Sequence, residues 1–197
     1  MPTTAWQWAL LWAARGKPSL ATDLETPDKS TDEEEAEINA GTLAGTIYRI
    51  GFAYRWEGVT YALSIPWGGE YTCVVRWLLS ESRAMLVWNR HFDLPRLRVH
   101  GVVAANWHDV QEMWHLYHTD LKKSLEFAAP FLVPAQPYWK DQSHQRPAYY
   151  NAIDAAITAE GYEVLWGNGL SDGTELLKQP ELPELPPCIS HDSDIPF

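Results

Sequence analysis

The sequence predicts an α/β domain built around a mixed β-sheet, and three observations carry that reading. Ile50, Phe52, Tyr54 and Trp56 recur with a period of two and run through Glu57-Gly58 into a second extended segment, the pattern of a β-hairpin. Two further apolar runs, 84–88 and 102–107, have strand character. Segments of helical character lie between and after them, and a hairpin followed by alternating strands and helices makes one mixed sheet with helices on its faces.

In chain order, Trp6, Trp8, Leu10, Leu11 and Trp12, interspersed with alanines, predict a first helix that Gly16 and Pro18 stop. Residues 19–25 predict a short strand. Residues 27–37 are dominated by acids, whose mutual repulsion predicts an extended solvent loop. The hairpin strands are expected at 50–56 and 59–65, a helix at 71–79, and buried strands at 84–88 and 102–107. Helices follow at about 109–118, 124–132 and 148–165, the last with Pro147 in its first turn. From Gly167 the apolar periodicity stops and Gly, Pro and Glu take over. The chain therefore divides into a domain at 1–166 and an irregular acidic tail at 167–197 with partly extended polyproline character.

With 197 residues, 46% of them hydrophobic and 11 of them Trp, the chain has enough apolar surface for a core and is not a disordered chain. Its longest mostly apolar stretch, 5–14, is interrupted by Gln7 and is about half of the ~20 residues a membrane span requires. The first residues carry no positive charge of the kind that opens a secretory signal, so a cytoplasmic protein without membrane contact is expected. Cys73 and Cys188 lack metal-ligand spacing, and His108, His115 and His118 lack the pattern of a helical zinc site. The net charge of -11 is unevenly placed. Residues 28–37 hold six acids against one base and residues 166–197 another six against one, so the rest of the chain is nearly neutral and does not repel a phosphate backbone.

Chemistry-bearing residues occur in three segments. Asp23 and Glu25 stand two apart at the end of a predicted strand, so both carboxylates share one face of the sheet. Two acids so placed repel unless a cation lies between them, and hard divalent ions prefer oxygen ligands. Taken alone, an Asp-x-Glu pair is more often a solvated strand end. Asp93 follows the apolar strand 84–88, at the carboxyl end where open α/β sheets place their sites. Tyr150 and Asp154 share one helix face at i and i+4, although singly they read as a core residue and a surface charge.

Together the segments resemble the DEDD family of 3′–5′ exonucleases, in the tyrosine branch found in the proofreading domains of family A DNA polymerases. Asp23-Leu24-Glu25-Thr26 resembles the first motif, Asn89-x-x-Phe92-Asp93 the second and Tyr150-Asn151-Ala152-x-Asp154 the third. Residues 120–129 and 137–140 are similar to the connecting segments of phage-type polymerases, and the likeness spans about 19–165. Val87-Trp88 stands where the polymerase pattern usually has Gly-His. The sister branch uses a His and an Asp five residues later, a spacing that His115 and Asp120 share, but this pair falls only 27 residues after Asp93 and inside a connecting segment, whereas Asp154 falls 61 after.

The resemblance implies a ribonuclease H-like fold, a mixed sheet flanked by helices, and a stand-alone exonuclease that removes nucleotides from DNA 3′ ends. It implies two Mg²⁺ or Mn²⁺ ions held by Asp23, Glu25, Asp93 and Asp154, with Asp23 bridging them. It further implies that Tyr150 orients the attacking water and that Thr26 and Asn89 hold the terminal nucleotide. Two such ions clamp the attacking and leaving oxygens of a phosphodiester displacement. Lys122, Lys123, Arg90, Arg96, Arg98, Lys140 and Arg146 are candidate phosphate contacts, and Trp67, Tyr138 and Trp139 candidate base-stacking surfaces. An exoribonuclease similar to RNase D is the alternative substrate class. A non-catalytic nucleic-acid-binding module on the same scaffold is the alternative function class, and such modules lose ligand carboxylates that this chain keeps. The terminal residues Asp194, Ile195, Pro196 and Phe197 resemble the acidic tips of bacterial single-stranded-DNA-binding proteins, which implies recruitment to proteins that recognise those tips.

Overall fold

The computed structural model describes residues 2–27, 31–102, 106–133 and 139–167. The chain opens with helix α1 (Pro2–Ala14), strand β1 (Leu20–Glu25) and helix α2 (Asp32–Ala40), then forms the hairpin β2 (Arg49–Trp56) and β3 (Val59–Pro66). Helix α3 (Thr72–Glu81), strand β4 (Met85–Val87), helix α4 (Arg90–Val99) and strand β5 (Trp107–Asp109) follow, and α5 (Val110–Tyr117), α6 (Leu125–Leu132) and α7 (Pro147–Gly167) complete the fold.

The five strands form one sheet in the order β3-β2-β1-β4-β5. β1 pairs antiparallel with β2, and β2 with β3, while β1–β4 and β4–β5 are parallel. The sheet is thus mixed and flanked by helices, the architecture the sequence predicts. Glu57 and Gly58 both take positive φ, 51° and 78°, the twist that lets a two-residue turn join β2 to β3.

Alternation along the strands sorts the core into two layers. Leu20, Leu24, Ile50, Phe52, Tyr54 and Ile65 face α1 and α3 and pack with Trp12, Val74, Trp77 and Leu78. Ala21, Ala53 and Leu86 face the other way, against residues of α5, α6 and α7. Small side chains on this second face let α7 lie close to the sheet. Its far end is tied to the hairpin by Arg55 ion-paired with Glu160 and Glu163, and by Thr60 donating to Glu160.

Three expectations are corrected. The acidic run is not an extended loop throughout, because residues 32–40 form α2. Thr31 caps it by accepting from the Glu34 backbone N–H while the Glu34 carboxylate accepts from the Thr31 N–H, and four acids in the first turn complement the helix dipole. Ile38 is buried and Glu35 pairs with Arg96, so the helix is docked. The last strand lies at 107–109, later than the apolar run 102–107, and residues 103–105 fall outside the described residues. Residues 90–99, given no element by the sequence pattern, form α4 despite Pro95.

A candidate metal centre at the carboxyl end of the central strand

β1 is the middle strand, and its last residues run past the point where β4 pairs with it, leaving Asp23 and Glu25 at the sheet's carboxyl end. Both project to the face that α7 covers, on the same side as Ala21. Asp154, on the sheet-facing side of α7, brings its carboxylate to them, and ligand atoms of Asp23, Glu25 and Asp154 lie within 4.8 Å of one another. Among the described residues no other trio of metal-ligating side chains converges in this way. His108 instead packs against Tyr162 and Trp166, and Asp120 is exposed in the turn after α5 and is not part of this trio.

Asp93 enters from α4, buried at 3% exposure. The helix starts abruptly after β4 because Asn89 adopts a left-handed conformation, φ 78°, at its N-cap. Asp109 secures that start by accepting from the backbone N–H groups of Asn89 at 3.3 Å and Arg90 at 2.7 Å, while also capping α5 through the N–H groups of Gln111 and Glu112. One buried carboxylate thus fixes two helix N-termini. Asp93 itself accepts a hydrogen bond from the Leu24 backbone, which joins α4 to β1 between the two first-motif acids.

The electrostatics are those of an acid cluster short of positive charge. Burial, then the charges of Asp154, Asp93 and Glu25, hold the Asp23 carboxyl well above the usual range, with Lys140 opposing. Burial and then Asp154 push Glu25 up to about 7, against Lys140 and Arg49. Asp93 is raised well above its ordinary value by burial, which outweighs the nearby Arg96. Burial followed by Asp154 pushes the Tyr150 hydroxyl up to about 12. Carboxyls in this condition ionise readily only when a cation joins them, and the all-oxygen donor set of Asp23, Glu25 and Asp154 suits Mg²⁺ or Mn²⁺, with Asp93 buried nearby but outside the converging trio. The residues therefore fit a divalent metal centre.

The roles of several residues of the site escape sequence reasoning. Asn151 is fully buried, donates Nδ2 to the Asp23 backbone carbonyl at 3.0 Å and to Asp23 Oδ2 at 2.8 Å, and accepts from the Ser64 hydroxyl at 2.6 Å. Gly51, the register partner of Asp23, makes room for it, since a Cβ there would stand 2.6 Å from the Asn151 carbonyl oxygen. Lys140 Nζ donates to Asp154 Oδ2 at 2.7 Å and to the Tyr150 hydroxyl at 2.9 Å, and the Trp139 indole N–H donates to Asp154 Oδ1 at 2.6 Å. Burial pulls the Lys140 ammonium down, yet Asp154 and Tyr150 outweigh it and the net effect is upward. The sequence places Asn151 in the third motif but gives it no role, because its partners Asp23 and Ser64 lie far away in the chain.

Some nucleic-acid contact candidates are corrected. Arg96 is 1% exposed, ion-paired with Glu35 and stacked over Phe92, so it is an internal brace. Trp139 is buried against Asp154 and offers no surface for stacking. Lys140 belongs to the acid cluster. Lys122, Lys123, Arg98 and Arg146 remain exposed, Arg90 and Trp67 are partly exposed, and Thr26 sits at the end of β1. Tyr138 and residues 194–197 lie outside the described residues, as does the rest of the tail from 168.

No protein-family model matches the chain, and no curated protein matches it. Among solved structures it is similar to exonuclease X in complex with 5′-overhanging duplex DNA, at 14% identity and a TM-score of 0.48, over 78% of this chain and 93% of that one. The strand order and side-chain geometry described above stand independently of that likeness.

Proposed function

We propose that the protein is a metal-dependent 3′–5′ exonuclease that removes nucleotides from DNA 3′ ends, of the tyrosine branch of the DEDD family. The observation that carries this reading is the convergence of Asp23, Glu25 and Asp154 at the end of β1, with Asp93 buried beside them. These four would hold two Mg²⁺ or Mn²⁺ ions. When bound, such ions supply Lewis-acid activation of water and charge stabilisation at the departing 3′ oxygen. Asn151 holds Asp23 by both its carboxylate and its carbonyl, so that ligand keeps one orientation. Tyr150 orients the attacking water: Lys140 donates into the phenol oxygen, which leaves the phenolic proton free to donate. Thr26 and Asn89 receive the terminal nucleotide, and the exposed Lys122 and Lys123 meet its strand's phosphates.

The preference for DNA rests on the similarity of the connecting segments to polymerase proofreading domains. Among the described residues no helix is long and apolar enough to cross a membrane, and a cytoplasmic location is part of this reading. The tip Asp194, Ile195, Pro196 and Phe197 is read, on sequence resemblance alone, as a recruiting element for proteins that bind single-stranded-DNA-binding-protein tips.

The test is digestion of 5′-labelled single-stranded DNA, duplex DNA and RNA of one sequence in Mg²⁺ or Mn²⁺. Stepwise shortening of DNA that stops in chelator is expected, with Tyr150→Phe slowing cleavage far more than His115→Ala. Preferred digestion of RNA would make the enzyme an exoribonuclease, and binding without digestion of any strand would leave a non-catalytic module.

A further inference from the structure

The converging carboxylates, with Asp93 buried nearby, account for where divalent ions would go but not for the lysine that stands among them. The Lys140 side chain is only 19% exposed, and its ammonium lies inside the acid cluster, on Asp154 Oδ2 and the Tyr150 hydroxyl. Burying a lysine stem costs rotamer freedom, so a lysine held this way needs a compensating interaction. It has four: the Asp154 ion pair, the phenol oxygen, the Tyr150 ring at 4.6 Å and the Trp139 ring at 5.3 Å. With Trp139 on the other oxygen, two consecutive residues occupy both oxygens of a carboxylate that a metal would also use.

We propose that Lys140 is a resident cation that holds Asp154 and Tyr150 in their working arrangement before a divalent ion arrives, and that it competes with that ion for Asp154. Once the ion is bound, the ammonium stays on the Tyr150 hydroxyl and keeps its proton directed away from Lys140. Lys140 is thus a positioning residue acting through its two neighbours. The exchange at Asp154 stands on geometry alone, whereas the part played by Tyr150 rests on the exonuclease reading. Two positive groups sharing one carboxylate oxygen repel, so the ammonium loosens metal binding. In return, the metal-free cluster keeps a positive charge among acids that otherwise repel one another.

The experiment compares full-length wild type, Lys140→Met and Lys140→Arg by calorimetric titration with Mn²⁺ alone, by melting in chelator and in saturating Mn²⁺, and by single-turnover digestion of single-stranded DNA. Lys140→Met should bind Mn²⁺ at least about threefold more tightly, melt lower in chelator, and gain more from Mn²⁺ than wild type does. Its cleavage should slow by about tenfold or more even in saturating metal, because the Tyr150 hydroxyl is no longer held. Lys140→Arg keeps the charge and should return both the chelator melt and the weaker Mn²⁺ binding toward wild type. A Lys140→Met chain that folds only in Mn²⁺ is the strong form of the same result. Folding in neither condition, or Mn²⁺ affinity equal to or below that of wild type, overturns the proposal. A wild-type protein that shows the expected exchange but digests no strand loses the exonuclease reading and keeps the resident cation.

Discussion

On the face of the sheet that meets α1 and α3, β1 and β2 present Leu20, Leu24, Ile50, Phe52 and Tyr54, and the helices answer with Trp12 and Trp77 packed edge to face at 6.0 Å. On the face that meets α7, the same two strands present Ala21, Asp23, Glu25, Gly51 and Ala53, and the helix answers with Tyr150, Asn151 and Asp154. Odd and even positions of one strand thus serve opposite ends. The first face gains stability from apolar burial. The second spends part of it on desolvated acids and gains a place where cations bind.

The difference can be broken from either side, and the largest effect is expected from exchanging a residue of each face. Asp154→Ala should lower cleavage by about a thousandfold or more, since it removes a ligand the transition state needs. Its urea midpoint in chelator should stay close to that of wild type, because a repelling acid leaves together with its contacts to Lys140 and Trp139. Trp12→Ala should do the reverse, costing about 3–5 kcal/mol by leaving a cavity on the α1 face, while the folded fraction keeps its cleavage rate. Trp12 is fully buried, and its indole N–H donates to the Pro18 carbonyl. Comparable losses of stability in both variants would show that the two faces are not separable.

The same division decides what could be read from the sequence. Period-two alternation places the hairpin, the apolar run 84–88 places β4 and the short segment 19–25 places β1, whereas the run 102–107 misplaces β5. Motif resemblance points to Asp23, Glu25, Asp93 and Asp154, and the structure brings the first two and Asp154 together with Asp93 buried nearby. What escaped depends on partners distant in sequence. The acidic run reads as a repelling loop until Thr31 caps it and Arg96 receives Glu35. α4 is hidden by its polar composition and Pro95, and exists because Asp109 holds its first turn. Arg96, Trp139 and Lys140 have the composition of a nucleic-acid surface, and only the fold turns them inward.

A smaller effect sharpens the comparison within the second face. Asn151 is buried as completely as any core residue, yet its side-chain hydrogen bonds go to Asp23 and Ser64, so it tests whether burial on this side supports the fold or the ligand. Asn151→Leu keeps the volume and loses the hydrogen bonds to Asp23. We expect Mn²⁺ affinity to fall by about 10- to 100-fold, the usual cost of losing a group that orients a metal ligand, with helix content by circular dichroism unchanged. Gly51→Ala should impair both, since its Cβ meets the Asn151 backbone and displaces α7.

The smallest expected effect is a slope, and its sign separates the two faces without any mutation. In the metal-free protein Glu25 is pushed up to about 7 from an ordinary value near 4.5, and Asp23 and Asp93 are raised as well, each by burial first. The folded chain therefore keeps protons that the unfolded chain releases. That contribution is fully present below the ordinary carboxylate values and is lost as pH rises through the folded ones, so stability in chelator should decline between about pH 4.5 and somewhat above 7. Divalent ions favour the charged carboxylates and should reverse this, so that melting in Mg²⁺ stays level or rises over the same range and the gap between the two curves widens with pH. Apolar packing under α1 and α3 holds no raised carboxyl, while burial lowers His100 beside Trp67 and His108 beside Tyr162 and so acts with the opposite sign, which makes Asp23→Asn the control that isolates the acid cluster. Removing one raised carboxyl should flatten the chelator curve and narrow the gap, whereas curves that stay parallel with and without Mg²⁺ would place the pH dependence outside the acid cluster.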